Sequence, residues 1–411
     1  MSSRTTGASV DNATLGSGHT SPPLTRAAAL ARLQDFAPRA GMEYARLRNL
    51  DMGPGRHKHV SSLSPALRRR LISEREVVSA VVSEHGPGAS DKFISEVFWR
   101  TYWKGWLEQR PSVWTGYLKA LAHEKQRLNH DSGRMTRFSQ AANGRSGIDC
   151  FDAWATELQE TGYLHNWARM QFSSIWIFTL GLPWELGAAH MFAHLVDADP
   201  AANTLSWRWV AGLHTKGKAY LADGERIRAM TQGRFSPQGL ARRALLPAES
   251  IDIPAPSTPR PAALPKKGVS SLLLLTAEDL SLETLPQIDS LSIDAIALLP
   301  GDSEADGIAL ADALARARQK WPDAQVLGAF GAHELRSARD LRCRQIVTGF
   351  APVGPIADRL IALRVDAERE GLPLTEHQRV WDVEAWPYCR KGFFTLKEKI
   401  PMLMSLSGDQ R

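Results

Sequence analysis

Two short segments concentrate the side chains able to do chemistry. The first is Glu96-Val-Phe-Trp99-Arg100-Thr-Tyr-Trp103. Spacings of three and four put Glu96, Trp99 and Trp103 on one helical face. A carboxylate there is either an exposed polar edge or a functional acid, and spacing alone favours the edge. The second segment is Asp197-Ala-Asp199-Pro-Ala-Ala-Asn203-Thr-Leu-Ser-Trp207-Arg-Trp209. Two acids, an amide and two indoles so close together suit a binding loop. Asp199-Pro200 equally suits a helix start.

Ten of the 13 tryptophans lie between Trp99 and Trp209. A packed helical core accounts for most of them. Indoles also relay electrons over short hops, and indoles interleaved with basic charge form stacking surfaces for bases. Residues 26–235 carry a net charge of +8, residues 236–268 add +3, and residues 269–411 carry −5. A basic part joined to an acidic part points to a polyanion as the partner of the former. Arg68-Arg69-Arg70 and Lys216-Gly-Lys218 are the runs suited to gripping phosphates. A run such as Arg68–Arg70 is equally a solvated helix face.

These segments must be carried by two or three domains, since the chain has 411 residues. The 43% hydrophobic and 23% charged content is globular and excludes wholesale disorder. The longest apolar stretch, Ile175–Leu182, is too short to span a bilayer. Cys150, Cys343 and Cys389 provide neither a disulfide framework nor a metal set. Residues 1–25 read as a disordered tail without a signal peptide, consistent with a cytoplasmic protein. Apolar residues recur at three and four in Ala29–Phe36, Val77–Val82, Phe151–Leu158 and Ile175–Leu182, so residues 26–235 form a helical domain. Six prolines between Pro247 and Lys267 mark residues 236–268 as an extended linker. Residues 269–405 change period. Strands are expected at Ser271–Thr276, Asp294–Leu299, Ala324–Ala329 and Gln345–Thr348, with helices at Gly307–Lys320 and Pro355–Glu368. Such alternation implies an open, doubly wound parallel sheet. The fold class is therefore mainly α, with a smaller α/β domain following an all-helical one.

The residues from about Leu30 to Phe235 resemble the photolyase/cryptochrome family in its helical FAD-binding domain. The resemblance runs in order through Tyr44-x3-Arg48, Ser61-Ser62-Leu63-Ser64-Pro65, Glu96-x2-Trp99-Arg100 and Gly147-x4-Asp152. It continues through Thr161-Gly-Tyr-Leu-His165-Asn166-x2-Arg169-Met170, Trp184 and Asp197-x-Asp199-x3-Asn203-x3-Trp207-x-Trp209-x-Ala211-Gly212. It implies FAD as cofactor. Tyr44, Arg48, Ser61, Ser62, Leu63 and Ser64 match positions that hold its diphosphate and ribityl side. Arg169 and Asp197 match an ion pair against the flavin, with Arg100 and Asp199 as further charged neighbours. Asn203 matches the residue facing flavin N5 and suits a reduced flavin.

The same resemblance implies a damaged-DNA partner. Glu96, Trp99, Asn166, Met170 and Trp209 match a lesion pocket in which Trp99 and Trp209 stack on an extruded pyrimidine pair. Asn166 and Met170 stand where the (6-4) branch has histidines, which points to cyclobutane dimers; His165 reads as a hydrogen-bonded core residue. The implied activity is light-driven splitting of those dimers, with Glu96, Asn203, Trp184 and Trp207 as catalytic residues. The alternatives are a blue-light photoreceptor without repair and a flavoprotein that only binds DNA. Trp207 and Trp184 match an inner electron relay, with Trp167 or Trp176 as exits, and Trp167 replaces an arginine common in repair enzymes. The family's usual antenna domain has no match before Tyr44. The strand after Leu272 faintly echoes that domain's opening, and the antenna chromophore is unassigned.

Overall fold

A computed structural model describes residues 21–215, 218–246 and 253–406. Most of the expected tail, Lys216 and part of the proline-rich linker lie outside these residues. The helical part comprises α1 (Arg26–Phe36), α2 (Met42–Leu47), α3 (Ser64–Arg68), α4 (Glu74–Ala89), α5 (Asp91–Glu108), α6 (Pro111–His130), α7 (Ser132–Ala142), α8 (Asp149–Thr161), α9 (Asn166–Ser174), α10 (Trp184–His194), α11 (Pro200–Val210) and α12 (Gly224–Met230). Side chains set several of its starts. Ser73 and Glu76 close a capping box on α4, and Asp199 accepts from Ala202 N–H at the start of α11. Buried His165 caps α9 through Nδ1, which accepts from Trp167 N–H. At Ile175–Thr179 the backbone makes a π turn rather than continuing the expected α pattern.

The α/β part is a five-stranded parallel sheet of β1 (Ser270–Leu275), β2 (Ser292–Leu298), β3 (Gln325–Ala329), β4 (Gln345–Gly349) and β5 (Leu374–His377), in the order β3-β2-β1-β4-β5. Between strands lie α13 (Glu304–Lys320), α14 (Ala332–Asp340) and α15 (Pro355–Arg369). Alternation in β1 feeds two cores. Leu272 and Leu274 pack with residues of α14 and α15, while Leu273 and Leu275 face α13 and merge with the core of the helical part. Strand β5 and helix α14 were not among the expected elements. After β5 the chain returns through α16 (Val380–Ala385), α17 (Phe393–Lys397) and α18 (Ile400–Leu406), and α16 and α17 pack on α5. Gly105 of α5 permits this approach, because a Cβ there would lie 2.5 Å from Trp386.

Arg68, Arg69 and Arg70 overturn both readings of their run. All three are buried, so they neither form a solvated face nor reach phosphates. Arg68 pairs with Glu278 at 2.9 Å, Arg69 with Asp306 at 2.7 Å and Arg70 with Asp382 at 2.7 Å. Each acid belongs to the part of the chain after the linker. Paired in this way, buried guanidinium groups escape the heavy penalty of an isolated buried charge.

Candidate functional site

One cavity of about 490 Å³ runs into the helical part. Its wall contains Tyr44, Arg48, Ser61, Ser62, Leu63, Ser64, Arg100, Arg169, Asp197, Asp199 and Asn203, the residues matched to the cofactor. Glu96, Trp99, Asn166, Met170 and Trp209, matched to the lesion, line the same space, as does Trp207. Of the named site residues only Trp184 is not in the wall. It rests against Tyr117 with ring centroids 5.4 Å apart, under the Arg208 guanidinium.

Local structure explains how the wall is assembled. Helix α5 delivers Glu96, Trp99 and Arg100 on consecutive turns. The loop before α3 presents Ser61–Ser64, with Ser62 in the left-handed region at φ +53° and the Ser61 hydroxyl accepting from Leu63 N–H. Between Asp197 and Asp199, Ala198 also has positive φ, 34°. This turn is held from beneath: Arg68 donates to the Ala198 carbonyl at 3.2 Å and Arg69 to that of Val196 at 2.9 Å. Thus the misread arginines position the two acids.

Charge in the cavity is organised in pairs. Asp199 accepts from Arg100 at 2.5 Å while its other oxygen caps α11, as the helix-start reading of Asp199-Pro200 expects. Burial would raise this carboxyl, but Arg100, Lys104 and Arg68 outweigh it and hold it at about 2. Asp197 is 3.2 Å from Arg169. Burial opposes its ionisation, and Arg169 and Arg100 together bring it below the ordinary carboxylate range. Glu96 differs. Burial keeps its carboxyl above the usual value even though Arg48 lies 2.5 Å away. Asn203 donates from Nδ2 to the Ala188 carbonyl at 2.9 Å. Its amide oxygen is the acceptor atom of the side chain.

The donor set fits a dinucleotide. Three arginines, four consecutive backbone positions rich in hydroxyls, and two acids held ionised can accept a diphosphate at one end and a polar ring system at the other. The volume lies within the roughly 300–1,000 Å³ usual for ligand pockets. The wall also carries aromatic side chains. Trp99 has Phe393 of α17 stacked on it, with centroids 3.9 Å apart and planes 12° apart. Trp209 leans on Tyr220 at 5.5 Å. Tyr163, Trp103, Tyr220 and Arg226 also line the cavity. Sequence reasoning missed them because they converge from separate elements. Trp103 alone carried a signal, its place on the Glu96–Trp99 face.

Trp207 and Trp176 meet edge to face at 6.2 Å. Gly187 makes this possible, since a Cβ there would fall 2.4 Å from Trp207 and 2.8 Å from Trp176. Trp167 meets Trp154 at 6.3 Å. Outside the cavity, Asp51, His57 and Glu157 bring ligand atoms within 4.8 Å of one another. They are already paired: His57 to Glu157 at 2.6 Å, and Asp51 to Arg234 at 3.0 Å and to the Trp154 indole N–H at 2.8 Å. Among the described residues, no helix is long and apolar enough to cross a membrane.

Comparison with known proteins agrees with this chemistry. The model of the FAD binding domain of DNA photolyase matches residues 93–264. The deoxyribodipyrimidine photo-lyase of Synechococcus sp. is 32% identical over 191 residues, 45% of this chain and 38% of that protein. That of Streptomyces griseus is 30% identical over 194 residues, 44% of this chain and 41% of that protein. The solved cryptochrome of Synechocystis sp. PCC6803 matches at 25% identity with a TM-score of 0.41, over 50% of this chain and 43% of that one. The chain thus spans about two-fifths of the length of these relatives. Residues 93–264 are thus similar to the FAD binding domain of DNA photolyase, and the donor set of the cavity fits FAD as the cofactor.

Proposed function

We propose that the protein repairs cyclobutane pyrimidine dimers in DNA, driven by light. The observation that carries this reading is the cavity in which the cofactor set and the aromatic, carboxylate-bearing lesion set share one wall. The chemistry that bound FAD supplies is transfer of one electron, on excitation of its reduced form, to the cyclobutane ring, and its return after the ring splits. Tyr44 and Arg48, with Ser61–Ser64, would hold the diphosphate and ribityl side, and Arg169 and Arg100, paired with Asp197 and Asp199, would lie against the flavin. Asn203 would face the flavin ring, where its amide oxygen could accept from a protonated ring nitrogen. Trp99 and Trp209 offer flat apolar surfaces for two linked bases. These enter by extrusion from the duplex, a property already general to base-flipping enzymes, photolyases among them. Glu96 lies in the same wall, and burial raises its carboxyl above the usual value; in its protonated form it would donate a hydrogen bond to a pyrimidine carbonyl on which negative charge develops. Trp207 would pass electrons to the site from Trp176, 6.2 Å away, with Trp184 of α10 as the further relay residue that the resemblance implies. In this division residues 26–235 do the chemistry, and residues 269–405 brace it through Arg68–Arg70.

The test is direct. Bound flavin is reduced under blue light with a thiol, and the protein is incubated with an oligonucleotide carrying one cyclobutane thymine dimer, in light and in darkness. Light-dependent loss of the dimer is expected, with a several-fold loss of yield in Glu96→Gln at unchanged flavin content. Photoreducible flavin with no dimer loss would replace repair by light sensing.

A further inference from the structure

Where the C-terminal segment packs on Trp99 of the cavity wall, it leaves a large aromatic side chain in solvent. Phe394 is 76% exposed. Its neighbour Phe393 is buried and stacks on Trp99 of the cavity wall, and the two phenylalanine rings are 6.5 Å apart. The approach to this pair is basic, for Arg390 and Lys391 are exposed. The loop that carries them is fixed from below. Tyr102 of α5 donates to the Lys391 carbonyl at 2.8 Å, and Arg110 donates to the Arg390 carbonyl at 2.6 Å. A rigid cationic loop bearing an exposed aromatic, set against the wall that would receive an extruded base pair, has the make-up of a DNA wedge.

We propose that Phe394 enters the gap left in the duplex when the two pyrimidines are extruded, while Arg390 and Lys391 hold the flanking phosphates. The proposal rests on the repair reading and adds to it a residue outside the segment matched by the family model. Extrusion leaves unstacked faces on the neighbouring bases and an orphaned pair of bases opposite. An apolar wedge restores part of that stacking, as it does where side chains unstack kinked DNA. Phosphate contacts position the duplex and carry no information on damage. The gap exists only in duplex DNA; a dimer in a single strand enters the cavity without leaving one.

The test measures binding of the flavin-loaded full chain and its Phe394→Ala variant, at one fixed salt concentration. The ligands are a duplex with one cyclobutane thymine dimer, the same strand alone, and the undamaged duplex. Phe394 is exposed, so flavin content and the unfolding midpoint stay at wild-type values and serve as the folding control. Affinity for the lesion duplex is expected to fall about tenfold, within the range of losing one base–aromatic stack, with the single strand unaffected. Phe394→Trp is expected to keep the affinity. Equal losses on duplex and single strand, or no loss on either, overturn the wedge while leaving the wild-type preference for damage, and with it the repair reading, intact. A wild type with no preference for the dimer on either DNA overturns both. Conversion of a self-associated protein to monomer by Phe394→Ala, with DNA affinity unchanged, would assign the patch to a second copy of the chain instead.

Discussion

Replacing Glu108 by glutamine should make the protein more stable at alkaline pH. Glu108 closes α5 where the helical part meets the loop after β4. It is 4% exposed, and its carboxylate accepts from Val353 N–H at 2.5 Å. Burial pushes its carboxyl from 4.5 up to about 7, against the opposing pull of that hydrogen bond and of Arg260. Between these two values the folded state holds a proton that the unfolded state has lost. Stability therefore falls as pH rises through this window and is flat, for this group, on either side. A gap of roughly 2.5 pH units at about 1.4 kcal/mol per unit gives a loss of about 3 kcal/mol. Glutamine keeps the oxygen that accepts from Val353 and cannot ionise. Urea unfolding of wild type and Glu108→Gln between pH 5 and pH 8 isolates the effect, because all other titrating groups cancel in the difference. The two proteins should be similar at pH 5, and the variant about 3 kcal/mol more stable at pH 8. A difference that stays constant across that range would mean that Glu108 titrates normally, and the argument from burial would fail.

Three further outcomes follow from the same geometry. Arg70→Met leaves Asp382 and Glu74 buried beside a lost cation, while Asp279 keeps Arg379; an uncompensated charge of this kind costs about 3–5 kcal/mol, read as a lowered unfolding midpoint, and Arg70→Lys should rescue it poorly because one ammonium cannot face Asp382, Glu74 and Asp279 at once, as the three separate guanidinium nitrogens do at 2.7, 3.4 and 3.9 Å. Asp199→Asn keeps the cap on α11 but removes the charge facing Arg100, so helical circular dichroism should persist while retained flavin falls; since Asp199 titrates at about 2, wild-type retention should show no step from this group above about pH 4. Gly187→Ala drives a methyl into Trp207 and Trp176 and should slow flavin photoreduction by a thiol several-fold without emptying the site, whereas a wild-type rate would remove these indoles from the electron path.

What the sequence made legible was local. Helical spacing alone put Glu96, Trp99 and Trp103 on one face, Asp199-Pro200 announced a helix start, and alternating apolar runs located four of the five strands. Elements whose signal is supplied by neighbours stayed hidden. Strand β5 is four residues long, Leu374–His377, and owes its conformation to the β4 ladder beside it. The π turn at Ile175–Thr179 carries the same three-and-four spacing as the α-helix it interrupts. Arg68–Arg70 is the instructive error. A run of three arginines is solvated unless acids arrive from elsewhere, and here they arrive from more than 200 residues away, as Glu278, Asp306 and Asp382. That pairing also revises the meaning of the charge asymmetry. Part of the positive balance of the helical part is answered inside the molecule by the acidic part, so the total overstates the charge left for a polyanion. Two of these guanidinium groups, those of Arg68 and Arg69, reach back to the carbonyls of Ala198 and Val196 and so fix the turn from which Asp197 and Asp199 enter the cavity. A change in the α/β part that removes Glu278 or Asp306, the partners of Arg68 and Arg69, should therefore be felt at the cofactor, although no strand of the sheet contributes to the cavity wall.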